Sequence, residues 1–166
     1  MVVDRNLSIR AAEPGDIRTI ARLIRALAEY ERLADEVTMT EEVLSSSLFG
    51  ARAYAETLLA EVGAQPVGFA LFFHNFSTFR GKPGIYLEDL FVVPEYRGGG
   101  VGRALFERLA SIAVERGCER FEWAVLDWNT DAIGFYERLG ARPNPDWTIY
   151  RLTGEALSAA ASTSRR

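Results

Sequence analysis

Between Ile85 and Leu109 the chain reads IYLEDLFVVPEYRGGGVGRALFERL, an apolar run broken at Pro94, then four glycines within five residues, then at once a helix-forming stretch. Glycine costs roughly 1 kcal/mol relative to alanine inside a helix, so a helix that opens on glycines needs a reason. At Arg97-Gly98-Gly99-Gly100-Val101-Gly102 the missing side chains let backbone N–H groups turn inward, and the helix start adds partial positive charge. Together these features make a cradle for a pyrophosphate. No Gly-x-x-x-x-Gly-Lys-Ser/Thr run exists, which removes the ATP-loop reading. The dinucleotide pattern G-x-G-x-x-G needs glycine at Arg103 or Leu105, so it fails too. The bland alternative, a glycine-rich turn without chemistry, would rarely spend so many glycines at a helix start.

Around this unit the periodicities predict strand, helix, helix, three strands, helix, strand, helix, strand. Leu7 to Arg10 reads as a short strand, and Ile17, Ile20, Ala21, Ile24, Leu27 and Ala28 recur at helical spacing behind Asp16 as N-cap. Thr38 and Glu41 sit at capping-box spacing ahead of a second helix. TLLAEV and VGFALFF flank Gly63-Ala64-Gln65-Pro66 as a hairpin, and NFSTFRGKPG reads as a polar loop before the strand IYLEDLFVV. Beyond the glycines come a helix ending near Gly117, the strand RFEWAVL, the helix TDAIGFYERLG and a last strand, WTIYRL. This order predicts a mixed α/β fold with one sheet and helices packed on it. One domain over residues 1–155 and a partly disordered tail over 156–166 are expected, since 166 residues suit a single core.

Composition narrows the chemistry. Cys118 is the single cysteine and His74 the single histidine, which removes internal disulfides, thiolate zinc cages and histidine-based triads and metal sites. Cys118 reads as a packing residue. With 23 acidic against 19 basic residues and no basic stripe, nucleic acid is not an expected partner. The start MVVDRNLSIR lacks an apolar stretch of signal length, and no run approaches a membrane span, so a soluble cytoplasmic protein is expected.

Arg97, Gly100 and Gly102 match Arg/Gln-x-x-Gly-x-Gly/Ala, and the chain thereby resembles the GNAT N-acetyltransferase superfamily. LAEYERL, IYLEDLFVVPEYRGGGVG, AVLDWN, GFYERLGA and DWTIYRL make it most similar to the diamine acetyltransferase group, which includes spermidine/spermine and thialysine acetyltransferases. The resemblance implies a largely antiparallel central sheet with splayed parallel fourth and fifth strands and about four flanking helices. It also implies acetyl-CoA as donor, a primary amine as acceptor and a homodimer with shared sites. Donor contacts would fall on Phe91, Val92, Val93, Arg97, Gly98, Gly99, Gly100, Val101, Gly102, Arg103, Asn129 and Tyr136.

A free alkylamine has a pKa of about 10.4 and must lose a proton before it can attack. Glu88 and Asp89 interrupt an apolar strand, and strand alternation sends them to opposite faces unless a bulge intervenes. Burying a carboxylate is costly, which argues for function. The resemblance makes Glu88 the general base through water and gives Asp89 a hold on the cationic substrate. Tyr136 occupies the family's general-acid position at the thiolate, although on physical grounds an aromatic packing role weighs the same. Asn129 reads as a helix N-cap or turn residue, and by resemblance also contacts CoA.

Tyr30 and Glu31 match an acceptor-site segment, and Trp147 matches an aromatic near the polyamine channel or is simply a core tryptophan. Polyamine-preferring members carry an extra acid where this chain has Ser77, and Arg80 adds a guanidinium able to pair with an amino acid's carboxylate. A thialysine-like, lysine-analogue or short diamine acceptor is therefore expected. The rivals are another amine, such as a polyamine, a protein N-terminus or an antibiotic, and a non-catalytic acyl-CoA sensor.

Overall fold

A computed structural model describes residues 6–163. The reading of the extreme N-terminus, and that of a disordered end over 164–166, lie outside them. By its contacts the chain divides into Met1–Ala124 and Val125–Arg166.

The first unit runs β1 (Leu7–Ala11), α1 (Ile17–Glu31), α2 (Glu41–Phe49), β2 (Glu56–Val62), β3 (Gln65–Ser77), β4 (Lys82–Val92), α3 (Val101–Glu115) and β5 (Phe121–Trp123). Its five strands lie in sequence order. The first four pair antiparallel, and β5 pairs parallel to β4. One face packs on α3 through Leu58, Phe72, Ile85, Leu87, Leu105 and Leu109. The other packs on α1 and α2 through Ile20, Leu23, Leu44, Leu59, Phe69 and Phe91. The α1 stripe read from the sequence supplies the buried Ile17, Ile20, Ala21 and Leu27.

Local chemistry shifts several expected boundaries. Asp16 does stand at the N-cap position of α1, but its carboxylate serves the preceding turn and the sheet. It accepts from the Glu13 N–H at 2.8 Å and from Arg10 at 2.7 and 2.9 Å. The cap of α2 is Thr40, not Thr38, because Thr40 Oγ1 is the group that reaches the Val43 N–H, at 3.3 Å. Most of the expected polar loop between β3 and β4 is strand, with Asn75, Phe76 and Ser77 paired to Gly84, Pro83 and Lys82. Its polar side chains are tied down across the sheet. Asn75 Nδ2 donates to Glu122 at 2.7 Å, and Arg120 donates to the Phe76 carbonyl at 3.0 Å. His74 Nδ1 donates to the Gly84 carbonyl at 3.1 Å, which leaves Nε2 to accept from Arg116 at 3.0 Å. Cys118 packs against the α3-side core.

The second unit contains α4 (Thr130–Arg138) and α5 (Gly154–Thr163), so the tail is helical through Thr163. Neither strand predicted beyond α3 forms as expected. RFEWAVL yields only Phe121–Trp123, because its parallel partner is limited to Ile85–Leu87. WTIYRL carries no strand among the described residues, since β-propensity supplies no pairing partner by itself. No helix of the described residues is long and apolar enough to cross a membrane.

Candidate active site

The sheet's periodicity breaks once in β4. Leu71 stands opposite Asp89 and Phe72 opposite Leu87, which leaves Glu88 without a partner across the ladder. Leu87 and Leu90 pack on the α3-side core, whereas Phe91 packs on the α1 side. The extra residue is a β-bulge, and it turns Glu88 and Asp89 to the same face, toward α1. Strict alternation would have separated them. The expectation of two buried acids holds only in part, since Glu88 is exposed and Asp89 is half-buried.

Charge crowding follows from this placement. Burial, then Glu88, then Glu31 push the Asp89 carboxyl up to about 6. Burial also raises Glu31, at the C-terminal end of α1. Three carboxylates thus act on one surface, and such a surface binds a cation and can take a proton from it. The β4–β5 pairing stops at Leu87 and Trp123, one residue before the bulge, so the two parallel strands part there.

At the other end of β4 the glycines form a turn that leads into α3. Gly98 and Gly100 have φ of 77° and 90°, a left-handed conformation that only glycine adopts cheaply. Gly100 is the N-cap of α3, and no side chain caps that helix. The first amides of α3, from Val101 to Arg103, therefore point outward without helical acceptors and fit a pyrophosphate. The side chains of Phe91, Val92 and Val101 are buried in the core. The Val93 N–H is already spent on the Val67 carbonyl at 2.9 Å. Arg103 is exposed and paired with Glu107 at 2.7 Å.

Arg97 is held between the Val92 carbonyl and two aromatic rings. Its Nε donates to the Val92 carbonyl at 2.9 Å, and its guanidinium lies 4.3 Å from the Tyr30 ring centroid and 5.5 Å from that of Phe91. Tyr30, Glu31, Glu88, Asp89 and Arg97 are thus brought to the α1 side. Arg80 is not among them. It sits in the β3–β4 turn, 3.8 Å from Glu119, and about six strand residues, roughly 20 Å, separate that turn from Glu88. In the second unit Asn129 Oδ1 accepts from the Ala132 N–H at 3.2 Å, the N-cap role read from the sequence. Tyr136 lies on α4 with its ring 5.1 Å from that of Phe135, and Trp147 lies in the segment without regular structure. The same-face placement of the two acids is what sequence reasoning could not fix. The one available signal was that IYLEDLFVV keeps apolar residues on both sides of the acid pair.

A mixed sheet whose fourth and fifth strands part beside a capless, glycine-started helix defines an acyl-CoA-dependent transferase class. The model of the acetyltransferase (GNAT) family matches residues 20–141, through both units, and the chain belongs to that family. It is an acetyl-CoA-dependent N-acetyltransferase by class. The chain is 42% identical over 160 residues to the thialysine N-epsilon-acetyltransferase of Sus scrofa, covering 90% of this chain and 94% of that one. It is 34% identical over 196 residues to the L-ornithine N5-acetyltransferase of Arabidopsis thaliana, covering 91% and 86%. Among solved structures, an integron cassette protein from the mobile metagenome of V. cholerae is similar with a TM-score of 0.79 and 25% identity, covering 94% and 98%.

Proposed function

We propose that this chain transfers acetyl from acetyl-CoA to the primary amine of a small substrate, a thialysine-like or lysine-like amino acid or a short diamine. The observation that carries the reading is the β4 bulge, which gathers Glu88 and Asp89 beside Glu31 on one face. The relatives named for thialysine and ornithine support the acceptor class. When bound, acetyl-CoA supplies the activated thioester carbonyl, with its pyrophosphate on the α3 amides and the Gly98–Gly102 turn.

The chain's own residues then manage charge. Glu31 and Asp89 hold the ammonium, and Glu88, exposed to solvent, takes its proton through water. Direct attack by the amine on the thioester carbonyl needs no covalent enzyme intermediate. Tyr136 Oη keeps the acid's role that the family pattern implies, and protonates the departing sulfur. A second reading of the base rests on one observation: Asp89, at about 6, titrates nearer neutral pH than an ordinary carboxylate and could itself accept the proton. A cytoplasmic homodimer is part of the proposal on the resemblance alone.

An amine panel tests it by following CoA thiol release. Thialysine, ornithine and short diamines should turn over, and spermine should be poorer than any of them. Spermine far ahead of the others would refute the acceptor class. Background release across the panel, despite tight acetyl-CoA binding, would instead favour a sensor.

A further inference from the structure

Given the proposed transfer to a lysine-like primary amine, on which this site depends, we propose that Lys82 is a self-modification site, acetylated on Nζ by a second copy of this chain.

Of the chain's 19 basic residues, 18 are arginine and Lys82 is the single lysine. A guanidinium stays protonated and does not attack a thioester, whereas a lysine amine can lose its proton and act as a nucleophile. The chain thus offers its own activity one side chain to modify. Lys82 also stands where it can be reached. It is the first residue of β4, paired with Ser77 across the turn from β3, and it is exposed. Gly81, with φ of 63°, closes that turn. Among the described residues no ion pair or hydrogen bond engages the Lys82 ammonium, and Glu119 is taken by Arg80 at 3.8 Å. Phe79 in the same turn is 97% exposed, so the segment protrudes.

Lys82 cannot be served by the carboxylates of its own chain. About six strand residues, roughly 20 Å, separate it from Glu88. That is far beyond the reach of a four-carbon stem. A second copy supplies the site instead. The segment from Ser77 to Lys82 carries two cations, Arg80 and Lys82, and no acid, whereas Glu31, Glu88 and Asp89 crowd the α1-side surface with carboxylates. Opposite signs draw the two surfaces together. The ammonium gives one proton through Glu88 to solvent and one to the departing sulfur. Its nitrogen bonds to the acetyl carbonyl carbon, and the C–S bond breaks to release CoA as the thiol. Lys82 ends as a neutral amide, and the turn loses one of its two charges.

Two full-length variants mixed with acetyl-CoA test the transfer between copies. Lys82→Arg keeps the acids and has no lysine, and the double variant Glu88→Gln, Asp89→Asn keeps Lys82 and lacks both candidate bases. Mass spectrometry of the tryptic peptide from Gly81 to Arg97 reads position 82 and tells the two chains apart. Lys82 of the double variant should gain its acetyl group at least about tenfold faster in the mixture than alone. Wild type by itself should accumulate the same mark, and excess thialysine should suppress it by competing for the carboxylates. Lys82→Arg should leave turnover of the small amines unchanged. The wild-type measurement stands whether or not the double variant folds. Equal rates in the mixture and alone would mean chemical acetylation by the thioester and would overturn the proposal. Acetyl at the N-terminal amine and not at Lys82 would overturn it too. Turnover of the amine panel with Lys82 unmodified would sink this site and leave the proposed function intact, whereas background release across the panel would remove that function first and this site with it.

Discussion

Asp89 pairs with Leu71 across the β3–β4 ladder, while its neighbour Glu88 pairs with nothing, so two consecutive carboxylates leave one strand on the same face. One inserted residue converts an ordinary central strand into a surface crowded with carboxylates. The cost appears in Asp89, whose ionised form is disfavoured by burial and by the charges of Glu88 and Glu31.

That cost has a sign in stability. Asp89 titrates at about 6 in the fold against 3.8 when free, so the folded state binds the proton more tightly. Stability from this group is full below pH 3.8, falls as pH rises through about 6, and stays low above it. Asp89→Asn should therefore stabilise the protein at pH 7.5 by on the order of 2 kcal/mol, and raise Tm by roughly 5 °C. It should give no gain at pH 3.5. Melting curves at the two pH values check this, and an equal Tm difference at both would show that Asp89 is not strained by charge.

The cradle proposed for the donor rests on backbone shape. Gly100 has φ of 90°, so Gly100→Ala should cost about 1–2 kcal/mol and reorient the first amides of α3. Acetyl-CoA should bind at least about tenfold more weakly, while the acceptor KM changes little. Gly99 is the control, since its conformation is not left-handed and an added Cβ would come no closer than 3.6 Å to the Tyr96 carbonyl. Gly99→Ala that damages acetyl-CoA binding as much as Gly100→Ala would count against the conformational explanation.

Tyr136→Phe removes one hydroxyl and keeps the ring that sits beside Phe135. If its proton goes to the departing sulfur, kcat should fall about a hundredfold, with melting temperature and acetyl-CoA affinity preserved. Retained kcat would return Tyr136 to the packing role that the residue alone equally allows.

The sequence carried the architecture where a signal was local. The α1 stripe, the β2–β3 hairpin, the glycine turn and the Asn129 cap all rest on neighbours a few residues apart, and all are found. What was not legible depends on partners distant in the chain. The strand WTIYRL has a strand's composition but no ladder among the described residues, and β5 is cut to three residues by the limits of β4 pairing. A bulge is a register event between two strands, so one strand's pattern could only leave the facing of Glu88 and Asp89 conditional. Arg97 matched a donor motif by position, but the direction of its side chain follows from Tyr30, Phe91 and the Val92 carbonyl.

The central claim is that the bulge places Glu88 to take the amine's proton, and kcat of Glu88→Gln with the best amine of the panel tests it most directly. A fall of about a hundredfold or more is expected, with acetyl-CoA affinity and Tm unchanged and Asp89→Asn affecting mainly the acceptor KM. Unchanged kcat in Glu88→Gln beside a large loss in Asp89→Asn would contradict the claim and give the base to Asp89.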